Sequence, residues 1–192
     1  MIAPRTIALF GGTFDPVHLG HLHLANLAQH ALKLDQVRFL PCKISPHKSG
    51  THPASSDDRC EMLRLATADL PWAVVDDREL HQAGPSYSYQ TAAAIAQCLP
   101  QARLFWLMGC DQWDALPLWK NPLQLAAQVE FIVLAREQIP QPRPGYRLHL
   151  IHGDHPASAT AIRHALSCGV PPPPWLAPTV AQWIRQKGLY SR

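Results

Sequence analysis

The sequence predicts an α/β fold in which a parallel sheet carries helices on both faces. Three observations lead there. Short apolar runs alternate with segments of helical period along the whole chain; the apolar runs are nearly continuous, as strands buried on both faces are; and the first of them runs into Gly11-Gly12 and then a helix. This is the pattern of strand-helix-strand units, which place ligands beyond the carboxyl ends of the strands. With 192 residues, 47% hydrophobic and 16% charged, the chain can build a real core and is unlike a disordered tail. We read one domain over residues 1–192, with a C-terminal helical part over about 156–192 packed on the rest.

The run Thr6 to Phe10 is the first strand. From His18 the residues Leu19, Leu22, Ala25, Ala28 and Leu32 recur at three- and four-residue steps, which is one face of a helix. The second strand spans Gln36 to Pro41, and a loop follows through Ser56. Asp58 with Glu61 predicts a capping box that opens a helix from Arg59 to Leu70. A strand at Trp72 to Asp76 comes next, then a helix over about Tyr89 to Leu99, a strand at Leu104 to Met108 and a short helical segment after Asp111. Val129 to Arg136 reads as a strand, Gln138 to Gly145 as a proline-rich loop, and Leu148 to His152 as the last strand. One helix begins near Ser158, and another, about Thr179 to Lys187, is stopped by Gly188.

Composition excludes several functions. The densest apolar runs, 104–108 and 131–135, fall far short of the roughly 18 residues a membrane span needs. The first residues lack the apolar core and cleavage site of a signal peptide, so a cytoplasmic protein is expected. Five scattered cysteines, without a C-x-x-C pair, predict reduced thiols and no cysteine-based zinc site. A net charge of +3 with no clustered basic stripe suits small anionic ligands and not nucleic acid. His149, His152 and His155 are spaced by three. On a strand such steps alternate faces, so the three read as solvated polar residues and not as a metal site.

Neither G-x-G-x-x-G nor G-x-x-x-x-G-K-[ST] occurs, and residues 11–21 read GGTFDPVHLGH instead. Two glycines close the first strand, and His18 and His21, three apart at a helix start, share one face. Glycine lets backbone come close to a phosphate, and the helix start offers free N–H groups and the positive dipole end. Taken alone, the two histidines would be ordinary helix-surface residues. Beside GGTFDP they read as polyphosphate contacts.

The same residues resemble the signature of the nucleotidyltransferases that share H-x-G-H with class I aminoacyl-tRNA synthetases. Further matches span the chain: Pro46-His47-Lys48 is similar to the P-P-H-[KR] loop, and Arg59 and Met62 fit the helix after it. Pro85-Ser86-Tyr87-Ser88 resembles P-S-Y-T, Gly109-Cys110-Asp111 resembles G-x-D, Pro117-Leu118-Trp119 resembles P-x-W, and Ser158 to Arg163 resembles S-x-T-x-I-R. Together they resemble the bacterial nicotinate mononucleotide adenylyltransferases. Ser45 stands where the first loop proline is usual, Ser88 replaces threonine, Lys120 replaces a common aromatic, and the loop near residue 140 is short.

The resemblance implies a Rossmann-like nucleotidyltransferase of NAD biosynthesis, joining nicotinate mononucleotide to the AMP part of ATP with release of pyrophosphate. It implies His18, His21, Lys48 and Arg163 as catalytic residues, with the two imidazoles against the triphosphate, where imidazolium is favoured because nearby anions raise a histidine pKa. ATP would meet Gly11, Gly12, Thr13, Phe14, Gly109, Asp111, Ser158, Thr160 and Ile162 besides the two histidines and Arg163, with Asp111 on a ribose hydroxyl. Nicotinate mononucleotide would meet Gly12, Thr13, Asp15, His47, Lys48, Tyr87, Ser88, Trp119 and Lys120, with its ring stacked on Trp119. Its carboxylate would meet backbone N–H groups near Ser88 and Lys120. Mg²⁺ would ride on the ATP phosphates, with no protein metal site. The partners are the two small-molecule substrates, with neither nucleic acid nor membrane, and a homo-oligomer is left open.

Other readings stand beside this one. A phosphopantetheine adenylyltransferase shares the first motif, but Trp119 and the Pro85-to-Ser88 segment argue against it. A class I synthetase fragment would need a tRNA-binding domain and K-M-S-K-S, and a nucleotide sensor without turnover would be expected to have a damaged phosphate site. Taken singly, Trp119 would be a core or interface residue, Asp111 a helix cap, and Lys48 and Arg163 solvated charges; order and spacing decide otherwise.

Overall fold

A computed structural model describes residues 5–44, 53–135 and 139–191. Six strands form one sheet: β1 (Thr6–Gly12), β2 (Gln36–Pro41), β3 (Ala73–Val75), β4 (Arg103–Gly109), β5 (Glu130–Ala135) and β6 (Leu148–His152). Their order is β3-β2-β1-β4-β5-β6, and every neighbouring pair is parallel. The helices are α1 (Leu19–Leu32), α2 (Ser56–Thr67), α3 (Ser88–Cys98), α4 (Cys110–Ala115), α5 (Pro122–Gln128), α6 (Ala159–Ser167) and α7 (Pro178–Lys187). The expected parallel sheet is therefore present. Its strand order reverses between β1 and β4, and the crevice beyond their carboxyl ends is where such sheets bind ligands.

Alternation along each strand divides the core in two. Ala8, Phe10, Phe39, Phe105, Leu107, Ile132 and Leu134 face Leu24, Ala25 and Ala28 of α1, Met62 and Leu63 of α2, and Val180 and Ile184 of α7. Ile7, Leu9, Leu40, Trp106, Met108, Phe131 and Val133 face Ala92 and Ile95 of α3, Trp113 of α4 and Leu125 of α5. The sheet's central strands are thus buried on both sides, which is why they read as unbroken apolar runs.

The differences from expectation are local. The second helix begins a turn earlier than Arg59, because Ser55 and not Asp58 is its cap: the Ser55 hydroxyl accepts from the Asp58 N–H at 3.1 Å and donates to the Asp58 carboxylate at 2.6 Å. Helix α5 follows a left-handed Asn121 and has Pro122 in its first turn, and a 3₁₀ turn covers Arg78–His81. His149 is not simply solvated. It pairs with Glu130 at 2.7 Å, and Arg103 holds the same carboxylate in two 2.8 Å bonds; these contacts pull the Glu130 pKa down to about 2.

Candidate active site

The first site segment is the turn from β1 into α1. Phe14 sits at φ 49, a left-handed conformation costly for a bulky residue. Its buried ring offsets that cost by packing edge-on against Phe10, Phe39 and His21, at centroid distances of 5.5, 5.9 and 5.0 Å. Gly12 is required beside it, since a Cβ there would lie 2.9 Å from the Phe14 ring. Arg59, 1% exposed, fixes the same turn from α2. It donates to the carbonyls of Thr13 at 2.8 Å, Cys42 at 2.9 Å and Ala54 at 3.1 Å.

His18 is the N-cap of α1, and the expected shared face is real: the His18 and His21 rings stack at 3.7 Å and 25°. The His18 N–H donates to Nδ1 of His21 at 3.2 Å. Gly20 makes room for the pair, because a Cβ at that position would come within 3.1 Å of the His18 ring and 3.2 Å of Ala157. His18 itself is buried, and its Nδ1 makes no hydrogen bond to the described residues. Burial, and then the charge of nearby His155, lower its pKa to about 4. In the free protein His18 is therefore neutral at pH 7; the charged form expected beside a triphosphate needs the anions to be present, because desolvation otherwise dominates.

Arg163, on the first turns of α6, reaches back to this turn. Its Nη1 donates to the Asp15 carbonyl at 2.6 Å, and its Nη2 contacts the Thr160 hydroxyl at 3.4 Å. The opposite end is built by α3, β4 and the segment after α4. Ser86 holds the Ser86-to-Ser88 turn against the end of β2: its N–H donates to the Ile44 carbonyl at 3.1 Å, and its hydroxyl accepts from the Lys43 N–H at 3.2 Å. Buried Glu79 braces that turn through Ser86 and the Thr91 hydroxyl, the latter at 2.7 Å, while burial raises its pKa. Asp111 lies in the first turn of α4, beside Gly109, where a Cβ would sit 2.8 Å from its carboxylate. Half-buried Trp119 packs edge-on against Trp106 at 6.2 Å and 84°.

These elements enclose one cavity of about 490 Å³ that runs from His18, His21 and Arg163 at one end to Ser88, Asp111, Trp119 and Lys120 at the other. Gly11, Gly12, Thr13, Phe14, Asp15, Tyr87 and Gly109 also line it. His47 and Lys48 lie outside the described residues. Ser158 and Thr160 stand at the α6 start without lining the cavity: the Ser158 hydroxyl caps the helix by accepting from the Ala161 N–H. Ile162 is fully buried, and its N–H already bonds the Ser158 carbonyl at 3.0 Å.

Sequence reasoning missed His23 and His155, both in the cavity wall. Their rings lie 5.6 Å apart, and His155 Nδ1 accepts from the Ala157 N–H at 3.1 Å. The signal was the His149-to-His155 spacing, but β6 ends at His152, so His155 belongs to the approach to α6 and not to a strand.

Comparison with known proteins agrees with this geometry. The family model described as cytidylyltransferase-like matches residues 9–165. A probable nicotinate-nucleotide adenylyltransferase of Aeromonas hydrophila is 38% identical over 209 residues, with 96% of each chain covered. One of Neisseria meningitidis serogroup C is 36% identical, covering 98% of this chain and all of its own. Among solved structures, Plasmodium falciparum nicotinic acid mononucleotide adenylyltransferase complexed with NaAD superposes with a TM-score of 0.82 at 15% identity, covering 97% of each chain; at that identity the likeness speaks for the fold. With near-complete coverage by its relatives and a cavity at the strand-order reversal, the chain belongs to the nicotinate-nucleotide adenylyltransferases within the cytidylyltransferase-like family.

Proposed function

We propose that this protein transfers the adenylyl group of ATP to nicotinate mononucleotide, releasing pyrophosphate and forming nicotinate adenine dinucleotide in NAD biosynthesis. The observation that carries the reading is one cavity lined both by the cationic and imidazole side chains of His18, His21 and Arg163 and by the aromatic ring of Trp119. The relatives' names supply the acceptor.

A phosphate oxygen of nicotinate mononucleotide attacks the α-phosphorus of ATP, and the bond to the bridging oxygen breaks as pyrophosphate leaves. The attacking phosphate is already ionised near pH 7, so no protein nucleophile is needed, and the protein acts by positioning and by stabilising charge. His21 and Arg163 offer donors to the triphosphate. His18 lines the same cavity, and incoming anions favour its charged form. Lys48, by its motif, is a further cation. Thr160 steadies Arg163. Asp111 is the acceptor for a ribose hydroxyl, and the start of α3 at Ser88 turns N–H groups and a positive dipole end toward the nicotinate carboxylate. MgATP is the substrate form. Among the described residues no group of three His, Cys, Asp or Glu side chains is placed to hold a metal ion, and a phosphate-borne ion takes most of its ligands from phosphate and water. No helix of the described residues is long and apolar enough to cross a membrane, and we place the enzyme in the cytoplasm.

The test is pyrophosphate release from ATP with nicotinate mononucleotide, nicotinamide mononucleotide and phosphopantetheine compared side by side. A mismatched buried polar group costs about 1–3 kcal/mol, so nicotinate should be preferred over the amide by roughly 5- to 150-fold. Equal turnover of the amide would remove the proposed acid specificity, and preference for phosphopantetheine would overturn the assignment.

A further inference from the structure

Tyr190 lies beyond every motif of the site, two residues past the glycine that ends α7. Gly188 adopts φ 60, the Leu189 N–H closes the helix on the Ile184 carbonyl at 3.0 Å, and Tyr190 itself is left-handed at φ 66. This turn sends its side chain back to the first motif, where the hydroxyl donates to Asp15 Oδ1 at 2.7 Å. The same oxygen accepts the Ala54 N–H at 3.0 Å, just ahead of α2. The other carboxylate oxygen lies 3.9 Å from Arg163 Nη1, which also bonds the Asp15 carbonyl. Asp15 is 8% exposed. One buried carboxylate thus ties together the β1-α1 turn, the front of α2, the cation of α6 and the chain's last turn.

We propose that Tyr190 is a positioning residue for adenylyl transfer: its hydroxyl locks the Asp15 carboxylate, and through it holds the Arg163 guanidinium in register with the triphosphate. The inference rests on the proposed function. A phenol suits the task because it donates without adding charge, and burial beside a carboxylate raises its pKa, so the donor persists across the working pH range. Without that bond Asp15 loses one of its buried partners and is free to turn toward Arg163, drawing the guanidinium from the phosphates. A displacement of about 1 Å can cost up to roughly a hundredfold in rate.

The experiment is Tyr190→Phe, which keeps the ring and removes only the hydroxyl, in the full chain at 25 °C. Expected are a fall of roughly tenfold in kcat/KM for ATP and a KM for nicotinate mononucleotide within about twofold of the parent. In an Arg163→Lys background the same change should cost less than about twofold, because contacts that act as a unit are not additive. A folded variant with unchanged kcat/KM for ATP overturns the proposal, as does a tenfold loss that persists undiminished beside Arg163→Lys. A variant unfolded at the assay temperature, read from its melting curve, assigns Tyr190 to folding instead and also overturns it. Failure of the parent protein to make the dinucleotide would instead sink the proposed function, and the two failures are distinct.

Discussion

Replacing Trp119 by alanine should separate the two ends of the cavity. The half-buried indole packs at 6.2 Å and 84° on Trp106 and against the second core layer, and the residue also lines the cavity. Losing an edge-to-face aromatic contact removes about 0.5–1.5 kcal/mol of stability beyond the area it buries, and for a chain of this size each kcal/mol moves Tm by about 2–4 °C, so melting should fall by several degrees without loss of the fold. Stacking of a heteroaromatic ring on an aromatic side chain is worth about 1–3 kcal/mol by alanine substitution, which weakens nicotinate mononucleotide binding roughly 5- to 150-fold. On the proposed placement of ATP against α1 and α6, its dissociation constant should stay within about twofold. Phenylalanine at this position should restore part of the loss, since a smaller ring still offers a flat apolar face. Calorimetric titration with each substrate, paired with thermal melting, reads all of this. A destabilised Trp119→Ala protein whose two affinities fall together would make Trp119 a core residue and remove it from the site.

His21→Ala should lower kcat by about 10²–10³, the usual loss for one preorganised donor to transition-state charge; near-normal kcat would make its role structural. His18→Ala should lower kcat similarly but also lower Tm, because that ring is buried and stacked; an unchanged Tm would contradict the packing. By NMR, His18 should titrate near 4 in the free protein, and His155→Gln should raise that value without restoring the ordinary one, since burial is the larger cause. A pKa depressed on folding means that the unfolded chain binds more protons below the unfolded value, so stability carried by His18 is full above about 6.5 and declines toward pH 4. Glu130 has the same sign at lower pH: its depressed pKa contributes stability above about 4.3 that is lost toward the folded value. Melting curves of Glu130→Gln should therefore be flatter than the parent's on the acid side, and an unchanged acid limb would remove the Arg103 and His149 contacts from the explanation.

The strands were legible because their residues alternate between two buried faces: Leu104, Trp106 and Met108 meet one helix layer, Phe105 and Leu107 the other. His18 and His21 were legible because three residues along a helix return to one side, and the stacked rings show it. Helix α5 escaped notice since seven residues behind a left-handed Asn121 are too few to display a period. The start of α2 was misplaced by a turn because Ser55 and Asp58 both carry capping oxygens, and only the folded geometry shows which one takes the N–H. His155 was misread with the strand before it, and the bond from Tyr190 to Asp15 spans 175 positions. Such contacts depend on where the tail's turn points, which no local pattern encodes. The charge state of His18 was hidden for a similar reason: its burial, and the approach of His155 far along the chain, arise only in the fold.

The central claim, that one cavity holds both substrates with phosphates at α1 and the pyridine ring at Trp119, is tested most directly by a crystal structure with nicotinate adenine dinucleotide bound. The account predicts the dinucleotide phosphates beside His18, His21 and Arg163, the nicotinate ring flat against Trp119, and its carboxylate at the start of α3. A dinucleotide bound elsewhere, or with its pyridine ring away from Trp119 and its phosphates away from the paired histidines, would contradict it.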